Sequence, residues 1–401
     1  VAVTGGRLVE RMAGFGTTIF AEMSALASAT GAINLGQGFP DVDGAPEILE
    51  AAVAALRAGH NQYPPGDGIP ELRQAVAAHQ RRRYGIEVEP DGGVLVTTGA
   101  TEAIAAAVLA LAGPGDEVLT FEPYYDSYAA SIALGGASRR VVPLRPPDER
   151  HPTWWFDAGE LAAAVTPRTR VVLLNTPHNP TGKVFDADEL GVVADVCRRN
   201  DLVAVTDEVY EHLTFDGCRH VPLATLPGMA ERTLTISSAG KSFSFTGWKV
   251  GWVSGPPDLV AAVRTVKQFL TYVSGGPLQH AVAHALEMGD AVTEALRDDL
   301  AAKRDRLCAG LAAAGFGVFR PQGTYFVIAD IRPLGASDGL DFCRTLPGRA
   351  GVVAVPTQVF YDDPAGGRHL VRFAFCKRDE VIDEAVERLA ALQAPDAVVA
   401  R

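Results

Sequence analysis

From about residue 46 to residue 290, short β-branched runs alternate with stretches of helical periodicity. The runs are VLVTT (94–98), EVLTF (117–121), RVVLLN (170–175), LVAVTD (202–207) and TLTIS (233–237). Near-continuous apolar strands between helical segments predict a mostly parallel sheet with helices on both faces, an α/β architecture. The texture then changes. EALRDDLAAKRDRLCAGLAAAG places Leu296, Leu300, Leu307 and Leu311 at helical spacing and predicts one long connecting helix. Beyond it, GTYFVIADI (323–331) and HLVRFAF (369–375) read as strands of a smaller α+β unit that ends in the helix EVIDEAVERLAAL. No internal repeat or low-complexity tract breaks the pattern.

An open parallel sheet binds its ligands outside the carboxyl ends of its strands, so those ends carry the candidate chemistry. VLVTT gives way to Gly99, Ala100, Thr101 and an alanine-rich helix, whose first turn points free N–H groups at an anion. RVVLLN opens into TPHNPTGK, with Asn179 in a turn shaped by Pro177, Pro180 and Gly182. LVAVT ends on Asp207, three residues before Tyr210, and TLTIS ends on Ser237 and Ser238, three before Lys241. Gly240-Lys241-Ser242 resembles the end of a phosphate-binding P-loop, but that motif requires glycine where Thr235 stands. Gly36-x-Gly38 likewise lacks the third glycine of a dinucleotide fingerprint, having Asp41 in its place; it reads instead as a loop whose backbone approaches a substrate, with Phe15 and Phe20 near the pocket wall.

An anion seat, an amide, a carboxylate with a phenol, and a lysine suit one ligand, a phosphorylated pyridine aldehyde. In pyridoxal 5'-phosphate, Lys241 would take the aldehyde as a Schiff base and Asp207 would keep the ring nitrogen protonated. Asn179 and Tyr210 would serve the phenolic oxygen. Thr101, Ser238 and Lys249 would close on the phosphate, and Tyr125, in FEPYYDSY, would stack on the ring.

Composition narrows the partners. A chain of 401 residues exceeds one ordinary core, and 47% hydrophobic with 21% charged residues fits a soluble globular enzyme. A net charge of -12 without a basic stripe argues against nucleic acid; Arg81, Arg82 and Arg83 read as a solvated helix end. The five cysteines lack the close spacing of zinc sites, so no metal is expected and they read as reduced packing residues. The opening VAVTGGRLVERMAG has no apolar secretory core and no stretch is long enough to span a membrane, so the expected location is cytoplasmic.

Taken in order, INLGQGFPD (33–41), NQYPPGDGIPELR (61–73), GATEA (99–103), TPHNPTGKVF (176–185), TDEVYEHL (206–213), SSAGKSFSFTGWKVGW (237–252) and LVRFAFCK (370–377) resemble the class I and II aminotransferases, fold-type I pyridoxal phosphate enzymes. The resemblance implies a seven-stranded, mostly parallel sheet in a large cofactor domain (46–290). A small domain would come from both chain ends, an arm at 1–45 and the segment 291–401. It implies Lys241, Asp207 and Tyr210 as catalytic, and Gly99, Ala100, Thr101, Tyr125, Asn179, Ser238 and Lys249 as cofactor-binding. Gly38, Asn179 and Arg372 would meet the substrate, with Arg372 on its carboxylate. It further implies a homodimer with active sites at the subunit interface, where Tyr63 from the partner reaches the cofactor phosphate.

The activity implied is transfer of an amine from an amino acid to a 2-oxo acid, in the branch that holds kynurenine, glutamine and methionine aminotransferases and bacterial N-succinyldiaminopimelate aminotransferases. Elimination from a cysteine S-conjugate, a β-lyase reaction, uses the same cofactor and is the alternative. A regulator with an aminotransferase-like domain would need a DNA-binding module, and about thirty residues before INLGQG are too few. Several simpler readings stand beside the catalytic ones. Asp207 could cap a helix over EVYEHL, Arg372 could sit in a structural salt bridge, and Lys249 and Ser238 could be ordinary surface and turn residues. His178 is assigned no role.

Overall fold

A computed structural model describes residues 8–393; the outermost parts of the expected arm and of the last segment lie outside the described residues. The main sheet has seven strands: β1 (Val94–Thr97), β2 (Glu117–Glu122), β3 (Ser138–Pro143), β4 (Thr169–Asn175), β5 (Val203–Asp207), β6 (Thr233–Ser238) and β7 (Gly251–Ser254). Their spatial order is β1-β7-β6-β5-β4-β2-β3. All neighbours run parallel except β7, which is antiparallel to both β1 and β6. The central strands are buried on both faces, which is why they read as unbroken apolar runs.

Helices Gly99–Leu111, Asp126–Gly135 and Pro257–Lys267 cover one face, where Ile104, Val108, Ile132 and Val263 meet Val171, Leu173 and Leu234. On the other face Leu190 and Val193 of helix Ala187–Arg199 pack on Val172, Leu174 and Ala204, while helices Pro46–Arg57, Pro70–Tyr84 and Gly276–Glu287 form a further apolar cluster with Val94, Val96 and Trp252.

The long helix spans Ala291–Ala313 and buries Leu300, Leu307 and Leu311, with Leu296 partly covered. It packs beside a four-stranded antiparallel sheet of β8 (Gly317–Phe319), β9 (Phe326–Asp330), β10 (Val355–Pro356) and β11 (Leu370–Ala374), in the order β10-β11-β9-β8. The N-terminal helix Ile19–Thr30, capped by Thr18, contributes Met23 and Ala27 to the same core, and Ile33–Asn34 pair with Val352–Val353. Among the described residues, no helix is long and apolar enough to cross a membrane.

One expectation changes. EVYEHL is a series of turns, so Asp207 caps no helix; its Oδ1 meets only the Val209 N–H, at 3.4 Å. Arg81, Arg82 and Arg83 end helix Pro70–Tyr84 as expected, Arg81 and Arg82 exposed, with Arg81 paired to Glu87 and Arg82 and Arg83 near Asp290.

Candidate active site

The carboxyl ends of the parallel strands face a cavity of about 260 Å³. Because β7 runs the other way, its entry lies at the same edge, and Lys249 reaches the cavity in the turn leading into it. That turn is tight: Lys249 has φ 55°, and a Cβ on Gly251 would lie 2.7 Å from the carbonyl carbon of Gly99 and 2.8 Å from the nitrogen of Ala100. Gly251 therefore lets the start of helix Gly99–Leu111 press against β7. Gly99, Ala100 and Thr101, the first residues of that helix, line the cavity with Ser238 and Lys249.

Asp207 lies 5% exposed at the end of β5. The Tyr128 hydroxyl donates to its Oδ2 at 2.5 Å, and its carbonyl accepts from Asn175 Nδ2 at 2.8 Å. Burial pushes the Asp207 carboxyl up to about 6 despite the Tyr128 bond. Tyr125 also lines the cavity and meets the Tyr128 ring edge to face at 5.7 Å. Asn179 is fixed by its backbone N–H, which donates to Asn175 Oδ1 at 2.6 Å, while its own Oδ1 accepts from Arg372.

Arg372, in β11, is 1% exposed. It donates to Asn179 Oδ1 at 3.0 Å and to the Gly36 carbonyl at 2.9 Å, and its guanidinium carbon lies 4.0 Å from the Phe326 ring centroid. Its Nε has no partner, and among the described residues it forms no ion pair, so the salt-bridge reading is not met. Burial lowers its pKa to about 10.

Lys241 follows β6 in a single helical turn, Ala239–Ser242. Its amine donates to the Tyr325 hydroxyl at 2.7 Å and to the Gly38 carbonyl at 3.3 Å, and burial lowers its pKa to about 8. Tyr325 in turn donates to Gly38 at 2.6 Å and meets the Tyr210 ring edge-on at 5.3 Å. A Cβ on Gly38 would fall 2.5 Å from Cζ of Phe326, so only glycine allows this approach.

Phe20, Gly38 and Tyr210 also line the cavity. Tyr63 stands apart, 81% exposed and edge-on to Tyr272 at 5.4 Å. Phe15 packs against the cluster beside the main sheet. His178 is buried away from the cavity; Nδ1 lies 2.8 Å from Thr181 Oγ1, and burial depresses its pKa to about 3. Sequence reasoning missed Tyr128 and Tyr325. Tyr128 stood in FEPYYDSY, one helical turn after Tyr125, and Tyr325 in GTYF ahead of β9; neither was singled out.

Residues 30–389 match the model of the family "Aminotransferase class I and II". The chain belongs to that family, which is one of pyridoxal phosphate enzymes, and it is an aminotransferase, acting on amino acids and 2-oxo acids. It is 55% identical over 392 residues to the probable N-succinyldiaminopimelate aminotransferase of Mycobacterium tuberculosis, covering 96% of this chain and 98% of that protein. The solved structure of the N-succinyldiaminopimelate aminotransferase from Mycobacterium tuberculosis superposes with a TM-score of 0.94 at 55% identity, over 96% of this chain and all of the other. The methionine aminotransferase of Escherichia coli is 39% identical over 374 residues, 93% of this chain and 95% of that one. The fold is accordingly fold type I.

Proposed function

We propose that this aminotransferase uses pyridoxal 5'-phosphate held by Lys241 and Asp207, and that its amino donor is of the N-succinyldiaminopimelate type. One observation carries the cofactor assignment. Lys241, Asp207 and Arg372 open on one cavity, and none forms an ion pair among the described residues. Unpaired buried charges are costly, and a ligand bearing a carbonyl, a pyridinium N–H and a carboxylate relieves all three. The substrate assignment is supported by the 55% identity to the mycobacterial relative.

The residues fit the group. Lys241 would hold the aldehyde carbon, Asp207 the ring nitrogen, and Asn179 and Tyr210 the phenolic oxygen. The start of helix Gly99–Leu111, with Thr101, Ser238 and Lys249, would hold the phosphate. When bound, the cofactor supplies an electron sink for the bond broken at the substrate α-carbon.

The protein does the rest. Asp207, with Oδ2 occupied by Tyr128, keeps Oδ1 for a ring proton. Because Asn179 Oδ1 is taken by Arg372, its Nδ2 is left to donate toward a ligand. Arg372, which lines the cavity, would orient a substrate carboxylate through its guanidinium. A lysine amine with a pKa near 8 is partly neutral at physiological pH, so Lys241 can take the α-proton and return it on the cofactor side.

Three further assignments belong to the same proposal. The small domain formed from both chain ends is supported by Met23, Ala27 and Leu35, which share a core with Leu307 and Phe373. The homodimer, with Tyr63 serving the partner's site, is supported by the exposure of Tyr63 and by the family. An intracellular setting agrees with five unpaired cysteines.

Borohydride reduction of the cofactor-loaded protein followed by peptide mapping tests the attachment: the adduct is expected on Lys241, and its absence there overturns the cofactor reading. Single-turnover absorbance with N-succinyl-diaminopimelate, kynurenine, methionine and glutamine tests the donor. Preference for the first is expected, and equal or faster reaction of another overturns it. Steady pyruvate and ammonia release from a cysteine S-conjugate without a 2-oxo acid would instead mark elimination.

A further inference from the structure

Beneath helix Pro70–Tyr84 lies a buried polar cluster that the transfer chemistry does not use. Glu211, 1% exposed, accepts at Oε1 from the Ser237 hydroxyl at 2.6 Å and at Oε2 from the Tyr84 hydroxyl at 2.7 Å; His79 Nε2 lies 3.2 Å from Oε2. The next residue, His212, is also buried, and its Nδ1 lies 2.8 Å from the Ser242 hydroxyl. The rings of His79 and His212 are 5.0 Å apart. His79, Glu211 and His212 come within metal-ligand reach of one another, yet each already has a protein partner, so the geometry describes a hydrogen-bonded brace.

The anchors of this brace share one property of sequence. Glu211 follows Tyr210, Ser237 precedes Ser238, and Ser242 follows Lys241. Each bond therefore lands one residue from a group that faces the cavity, and together they tie the turn after β5 to the end of β6 and to the lysine-bearing turn. An apolar cluster of similar volume would stabilise the fold at least as well, since burying a carboxylate carries a large desolvation cost. What such packing lacks is direction.

We infer that Glu211 and His212 are positioning residues, which set Tyr210, Ser238 and Lys241 in register through Ser237 and Ser242. This rests on the reading of Lys241 as the cofactor-bearing lysine. His212 suits the task because burial depresses its pKa to about 3, keeping the ring neutral and its bond to Ser242 unchanged across the working range of pH. Glu211 is held ionised: burial opposes its charge, but the hydrogen bonds from His79 and Ser237 help to hold its pKa well below the ordinary carboxylate value.

The test compares the cofactor-loaded wild type with Ser242→Ala, His212→Phe and His212→Asn, whose amide takes the place of Nδ1. The donor is the amino acid that the wild type turns over fastest. Sub-ångström misplacement of a reacting group costs roughly tenfold in rate, so Ser242→Ala and His212→Phe are expected to lose about tenfold in kcat with KM held within about twofold. The pH midpoint of the bound cofactor's absorbance should also move by about half a unit. His212→Asn should restore both. A lowered Tm with kcat and midpoint unchanged in Ser242→Ala would make the cluster purely structural and overturn the inference. Borohydride trapping on wild-type Lys241 keeps the two readings separate: trapping there with an unaltered Ser242→Ala overturns the brace alone, whereas no trapping overturns both.

Discussion

Tyr128 and Asp207 are joined by a 2.5 Å hydrogen bond between side chains that are both buried. The phenol takes Oδ2, so one carboxylate oxygen is committed, while Oδ1 meets only the long Val209 N–H contact at 3.4 Å. The bond favours the charged form of Asp207, against a burial effect that lifts its pKa to about 6.

Removing that donor should lift the carboxyl further. In the cofactor-free protein, Tyr128→Phe is expected to move the Asp207 titration midpoint upward by about one pH unit, since a hydrogen bond to a charged group is worth roughly 1.5–3 kcal/mol before relaxation. Carboxylate infrared absorbance between about pH 4 and 9 checks this, and an unmoved midpoint would deny Tyr128 the role.

Asp207 also makes a stability prediction, with a definite sign. Its folded pKa of about 6 exceeds the ordinary 3.8, so the native state binds this proton more tightly than the unfolded chain. Its contribution favours the fold below about pH 4 and is lost as pH rises through 6. Without cofactor, Asp207→Asn should therefore be more stable than wild type at pH 7 by on the order of 2 kcal/mol, and the gap should close below pH 4. Urea unfolding at the two pH values measures it.

Lys241→Ala should bind the cofactor without a covalent bond and lose transfer by at least about a thousandfold, because nucleophile and base go together. Unreduced dialysis, borohydride trapping and single-turnover absorbance separate binding from chemistry. Before loading, the wild-type amine should react with an acylating reagent with a midpoint near pH 8, well below an exposed lysine.

Arg372→Lys keeps a charge but loses the planar fork that reaches Asn179 and Gly36 together. KM for the amino donor should rise about tenfold to a hundredfold, with smaller loss in kcat. Initial rates over a range of donor concentration decide it, and an unchanged KM would remove Arg372 from the carboxylate.

Gly38→Ala sets a methyl against Phe326 and displaces the carbonyl that Lys241 and Tyr325 share. A fall of about tenfold or more in kcat/KM is expected with little change in Tm, because the loop can shift where the core cannot. Kinetics and thermal unfolding on one preparation check both halves.

The central strands were legible because burial on both faces leaves them mostly β-branched and apolar, with few polar residues. Two strands of the sheet were not. β3 lies at the edge and carries Arg139 and Arg140, so its burial alternates, and β7 is four residues long and starts on a glycine. EVYEHL has the composition of a helix, but Glu208 is drawn to His220 at 2.7 Å and Glu211 and His212 turn inward, and these long-range bonds outweigh local propensity. Lys241, Asp207 and Asn179 stood out because each follows a strand end at a predictable edge. Tyr128, Tyr325 and Glu211 act through partners 26 to 287 positions away, a separation that no local pattern encodes.

The segment around Gly36 to Phe39 is gripped by its backbone: Arg372 takes the Gly36 carbonyl, Tyr325 and Lys241 that of Gly38, and Lys377 that of Phe39. None of these clasps depends on the side chain at position 39, which lines the cavity, whereas the Gln37 amide donates to the Phe20 carbonyl at 3.0 Å and to the Ser24 hydroxyl at 2.6 Å and ties the segment to the N-terminal helix. New preferences for the substrate's far end can thus arise by exchanging Phe39 while the anchoring stays intact, which gives one scaffold a short route from one amino acid to another.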